Sequence, residues 1–139
     1  MQPATRVVSR VDLVASRSTY LRTHSTRKPV RYILFVCVDP AAEKYVPEED
    51  NIEEWVAEAE QRNVRILGSR LKGLKDARTI RRRNGKVIVT DGPFSETKEW
   101  IAGFDLLECA TLDEAIEVAS QHPMARFGRL ELRPLVPED

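Results

Sequence analysis

A chain of 139 residues that is 42% hydrophobic and carries 22 basic and 22 acidic side chains fits one domain large enough to bury a core. No stretch approaches the roughly 18 apolar residues that a membrane-spanning helix needs, which excludes a helical membrane protein and makes a soluble, cytoplasmic protein the expectation. The two cysteines, Cys37 and Cys109, sit in apolar runs and read as small core residues, able to pair only if their strands are neighbours.

The zero net charge conceals an asymmetry. Residues 1–28 hold six basic side chains (Arg6, Arg10, Arg17, Arg22, Arg27, Lys28) and one acid, Asp12, so the remainder is net acidic. Residues 1–29 therefore read apart from a folded domain over 30–139. The tail is rich in Ser, Thr and Arg and poor in large apolar residues, too few to order it. Its composition suits a transit peptide, although Val11, Leu13 and Val14 give only a short apolar face. It also suits a basic arm for nucleic acid, although it lacks interleaved aromatics. The abrupt onset of domain character at Val30 favours a disordered tail or a mis-assigned start.

Residues 32–38 form a continuous apolar run, the pattern of a strand covered on both faces. Asp50 and Glu53 make a capping box ahead of Ile52, Trp55, Val56 and Ala59, which predicts a helix over 51–62. Residues 65–71 read as a strand. Residues 77–83 and 86–90 then meet across Asn84-Gly85, a two-residue hairpin signal. That turn sets Arg83 opposite Lys86, Arg82 opposite Val87, Arg81 opposite Ile88 and Arg78 opposite Asp91. A further strand covers 100–109, apolar on both faces except for Asp105. Thr111 and Glu114 form a second capping box, and Leu112, Ala115, Ile116 and Ala119 mark the buried face of a helix over 111–121. His122-Pro123 ends it, and 128–134 alternates as a half-exposed strand.

This order predicts an α+β fold, the ferredoxin-like βαββαβ arrangement with an extra β-hairpin. Two helices cover one face of a four-stranded sheet, yet the first and third core strands are apolar on both. A second copy across a two-fold axis is the simplest cover, so a homodimer with sheets face to face is expected.

The densest chemistry lies at Thr90-Asp91-Gly92-Pro93-Phe94-Ser95-Glu96-Thr97-Lys98-Glu99, where Gly92-Pro93 breaks the arriving strand. Asp91 reads either as a general base or ligand anchor governed by Arg78, or as a turn aspartate paired to that arginine. Glu96, Thr97, Lys98 and Glu99 either form a self-paired turn or line a ligand pocket, for which Arg78, Pro93 and Phe94 are further candidates. His122 can shuttle a proton near neutral pH or interact with the last carbonyls of its helix. Asp105 needs a partner, either a basic residue across the dimer interface or the setting of a cleft carboxyl. Trp55 reads as packing. The cluster Lys72, Lys75, Arg78, Arg81, Arg82, Arg83 and Lys86 invites a nucleic-acid reading, opposed by the net acidity of the folded part. No spacing resembles a zinc site, a phosphate-binding glycine loop or a Ser-His-Asp triad, so no cofactor is expected.

Asp91 to Glu99, followed by Ile101-Ala102-Gly103-Phe104, Leu112-Asp113-Glu114-Ala115 and Glu131-Leu132-Arg133-Pro134, resembles the YCII-related family in its DGPF subgroup, from about Val30 to Val136. The resemblance implies a ferredoxin-like dimeric α/β barrel. It further implies a possible enzyme resting on a His and an Asp, with one relative implicated in removing chloride from a chlorinated aromatic. DGPF members also occur beside extracytoplasmic-function sigma factors. The histidine of the enzyme-like members stands on the first helix, whereas Ile52 to Arg62 contains none, leaving His24 and His122. The leading expectation is a small dimeric protein that binds a small organic molecule, with elimination or isomerisation by acid/base chemistry at Asp91 and His122. The alternative is a non-catalytic accessory dimer in sigma-factor-linked transcription.

Overall fold

The computed structural model describes residues 4–7, 28–93 and 99–138. Among them six strands and three α-helices follow in the order β1 (Val30–Cys37), α1 (Ile52–Gln61), β2 (Arg65–Arg70), β3 (Arg78–Arg83), β4 (Lys86–Asp91), β5 (Ile101–Cys109), α2 (Leu112–Ser120), α3 (Met124–Phe127) and β6 (Arg129–Pro134). Short 3-10 turns at Pro47–Glu49 and Leu74–Asp76, and the single turn α3, are the elements that the apolar periodicity does not signal. Four strands form one sheet in the order β2-β5-β1-β6, with every neighbouring pair antiparallel. This mixed α/β architecture is compatible with a ferredoxin-like fold. The described strands form no closed barrel; β3 and β4 make a separate two-stranded sheet.

The hairpin adopts the register expected from its turn, with Arg83 opposite Lys86 and Arg78 opposite Asp91. Asn84 (φ 51°) and Gly85 (φ 75°) both take positive φ, as a tight turn matched to strand twist requires. The two expected caps fare differently. Thr111 Oγ1 accepts the Glu114 N–H at 3.1 Å, while the Glu114 carboxylate reaches back to Ala110 N. At α1 the N-cap is Asn51, without a side-chain bond, and Asp50 Oδ1 instead accepts the Ile52 N–H at 3.1 Å.

On the helix-covered face Tyr32, Leu34, Leu107 and Cys109 are buried under Trp55, Ala59, Ala115, Val118 and Ala119. The Trp55 indole N–H donates to Val118 O at 2.8 Å, clasping α1 to α2 and satisfying the one polar atom that the ring buries. The buried side of α2 differs from the expected stripe. Leu112 is half exposed, whereas Glu114 and Glu117 are buried. Both carboxylates have partners there: Glu114 caps Ala110, and Glu117 holds Arg62 at 3.0 Å. On the opposite face Ile33 pairs with Leu106 and Phe35 with Phe104, all half-buried, and an Arg31–Glu108 ion pair stands at one side.

Cys37 and Cys109 are free thiols. Their strands are neighbours, but Cys109 lies opposite Val30 at the far end of β1 from Cys37. Seven residues of strand, about 23 Å at ~3.3 Å each, separate the two positions, far beyond disulfide reach. Burial pushes the Cys109 thiol up to about 12, so it packs rather than reacts. No helix among the described residues is long and apolar enough to cross a membrane.

Candidate functional site

Asp105 is the polar residue in the middle of β5, flanked by Leu34 on one side and Gly68 on the other. It is 5% exposed, and a carboxylate so placed needs a cation. The cation is Arg65 of the same chain, whose Nε donates to Asp105 Oδ1 at 2.8 Å and whose Nη1 bonds Glu60 at 2.8 Å. This corrects the expectation of a partner across a dimer interface. The pair fits because position 68 is glycine: a Cβ there would lie 2.1 Å from Asp105 Oδ1 and 2.6 Å from Arg65 Nη2.

His122 follows α2 and is 4% exposed. Its ring does not reach the last carbonyls of α2, which are met by backbone N–H groups of Gln121 and His122 itself. Instead Nδ1 accepts the Met124 N–H at 3.0 Å, capping α3. The ring proton therefore resides on Nε2, which faces Asp105 Oδ2 at 3.9 Å, beyond hydrogen-bond length. The Trp55 ring meets the imidazole edge-on, 4.6 Å between centroids. Burial lowers the His122 pKa below its ordinary value, while Asp105 opposes the shift, so at neutral pH the imidazole is uncharged.

His122 lines a cavity of about 440 Å³ between the 48–54 segment and the α2–α3 junction. Glu48, Glu49, Asp50 and Glu54 stand at one side, and Pro123, Arg126 and Phe127 at the other. Arg126 bridges the two sides through Glu43 at 3.0 Å and Glu49 at 2.7 Å. The structure thus joins two of the residues singled out in the sequence, His122 and Asp105.

Asp91 is elsewhere, at the end of β4 on the separate hairpin sheet. Its side chain is 86% exposed and bound to Arg78 at 3.1 Å, the cross-strand pair expected from the register. Among the described residues no concave wall surrounds this carboxylate. Pro93 is half-buried just beyond it, while Phe94, Glu96, Thr97 and Lys98 lie outside the described residues. Sequence reasoning missed Arg65, Gly68 and Met124. A glycine inside a strand pattern was the available signal at 68, since it marks close approach.

The YCII-related domain model matches residues 31–139. An uncharacterized protein of Rhizobium meliloti (strain 1021) is 46% identical over 69 residues, 48% of this chain and 56% of that relative; the chain thus spans little more than half of the curated relative it matches. The match over nearly the whole folded part shows that this chain belongs to the YCII-related domain family.

Proposed function

We propose that the protein binds a small organic molecule in the cavity beside His122 and performs acid/base chemistry there, with the His122–Asp105 pair in place of Asp91. The observation that carries this reading is a neutral, buried imidazole on a cavity wall with a carboxylate 3.9 Å behind its Nε2. In such an arrangement the basic atom is Nδ1. That atom is held by the Met124 N–H, so a proton taken from a ligand reaches Nδ1 only as that hydrogen bond gives way, and Asp105 then stabilises the imidazolium through the Nε2–H. Arg65 orients Asp105 through the hydrogen bond to its Oδ1. Proton abstraction followed by elimination or isomerisation suits these groups. The Asp91-Gly92-Pro93 segment agrees with the DGPF subgroup, and in this reading its aspartate closes the hairpin.

The test is a thermal-shift screen of small acids, lactones and phenols against wild type, His122→Gln, Asp105→Asn and Asp91→Asn. A ligand at one hundred times its dissociation constant adds about 2.7 kcal/mol. Stabilisation that persists in Asp91→Asn and vanishes in His122→Gln is the expected result. The reverse pattern moves the site to the hairpin.

The same proposal makes the protein a cytoplasmic homodimer. Ile33, Phe35, Phe104 and Leu106 on the face without helices support it, because such a patch with charged neighbours suits a second copy. A second reading, an accessory dimer serving a sigma factor, draws on the hairpin, where Ile80 is 70% exposed and Val87 and Val89 are each 58% exposed among arginines. Co-purification with a sigma factor that is lost on Ile80→Asp would favour it; binding unchanged by that variant would not.

A further inference from the structure

The geometry points to a proton-operated latch: uptake of a proton at His122 Nδ1 breaks its hydrogen bond with the Met124 N–H and frees the α3 wall of the cavity. It concerns the site proposed above but rests only on the arrangement of His122, Met124 and Asp105.

The neutral ring has one lone pair, on Nδ1, and that pair accepts the Met124 N–H at 3.0 Å. A proton added there sets two donors against each other, N–H facing N–H, and the cap is lost. The Met124 N–H belongs to the first turn of α3, where no intrahelical acceptor exists. On its other side the imidazolium gains a destination. Nε2 stands 3.9 Å from Asp105 Oδ2, a gap that closes to an ion pair if the ring moves toward β5 and away from α3. Attraction and repulsion act in one direction.

The groups facing the ring agree with this movement. Asp105 comes from β5, with Arg65 of β2 bound to its other oxygen. Trp55 comes from α1 and offers its ring edge-on. Asp50, ahead of α1, adds a more distant negative charge, and Arg65 a positive one. Glu48, Glu49, Glu54 and Arg126 line the same cavity.

The turn that is released carries the cavity wall. Phe127 packs edge-on against Tyr45 at 5.2 Å. Arg126 holds Glu43 and Glu49, and its carbonyl accepts the Glu43 N–H at 3.3 Å. Loosening α3 at its first residue therefore loosens the contact between the two sides of the cavity. A proton from solvent or from a bound ligand has the same effect, which couples occupancy of Nδ1 to access.

The experiment is an NMR titration of the full chain without ligand, from about pH 8 to about pH 5, following the His122 ring nitrogens and the backbone amides. Expected at the alkaline end is an unprotonated Nδ1 and a protected Met124 amide. On acidification the Met124, Arg126 and Phe127 amides shift with the midpoint of Nδ1. Met124 exchange, corrected for its intrinsic pH dependence, rises about fivefold, the worth of one neutral hydrogen bond. In His122→Gln, with the Trp55 indole signal as the check on folding, those amides no longer titrate. A Met124 amide that stays constant while His122 titrates overturns the latch. So does an Nδ1 that is already protonated at neutral pH, or a His122 that does not titrate before the protein unfolds. Because no ligand is present, these outcomes stand apart from the thermal-shift result.

Discussion

At the scale of single residues, the energetics concentrate on a few buried charges. His122 is held neutral by burial, so its folded-state pKa lies below the unfolded value of about 6.5. Above that value neither state binds the proton and the contribution of His122 is fully present. As pH falls from there toward the folded pKa, the unfolded chain protonates first and stability is lost. Urea unfolding at a series of pH values is therefore expected to show a steeper acid-side loss in wild type than in His122→Gln. Gly68→Ala is a sharper test of the Arg65–Asp105 pair. A Cβ at 2.1 Å from Asp105 Oδ1 and 2.8 Å from Phe104 O has no room, and the backbone neighbour cannot yield cheaply. The expected loss is about 2 to 3 kcal/mol, read by denaturant unfolding. Leu34→Ala, at a fully buried site, is expected to lose about 3 kcal/mol or more by cavity formation.

At the scale of elements, caps and turns decide how each segment begins and ends. Removing the Thr111 hydroxyl leaves the Glu114 N–H without its acceptor, so Thr111→Ala is expected to lower stability by about 1 kcal/mol. Asp91→Asn is expected to change it by no more than about 0.5 kcal/mol, because the Arg78 pair is largely in solvent. A much larger loss would make that pair a structural keystone of the hairpin. The short helix α3 is legible only in the structure. Four residues are too few for an apolar period, and the signal that starts it is a histidine ring accepting a backbone N–H. Nothing in the His122-Pro123 dipeptide distinguishes that cap from an interaction with the preceding helix.

At the scale of the molecule, one sheet face is covered by α1 and α2, while the other keeps Ile33, Phe35, Phe104 and Leu106 half-buried. If the proposed homodimer forms through this face, sedimentation analysis gives about twice the 15.9 kDa of one chain, and Phe104→Asp yields monomers without loss of helix content. A wild-type monomer at micromolar concentration would remove the dimer, leaving the His122 cavity in the single chain untouched.

Local chemistry determined the strands, two of the helices and the hairpin register. Those features follow from residue spacing: alternate or continuous apolar runs, and a turn that needs positive φ at Asn84 and Gly85. The same local reasoning drew attention to Asp91, because ionisable residues near a Gly-Pro break stand out in one dimension. Only the tertiary structure brought together the residues of the proposed site. The antiparallel order β2-β5-β1-β6 sets Arg65 and Gly68 beside Asp105, and the packing of α2 against the sheet carries His122 to the same carboxylate. Those residues are far apart in the chain, and their pairing is a consequence of burial: a carboxylate enclosed under two helices must find its cation in space rather than in sequence.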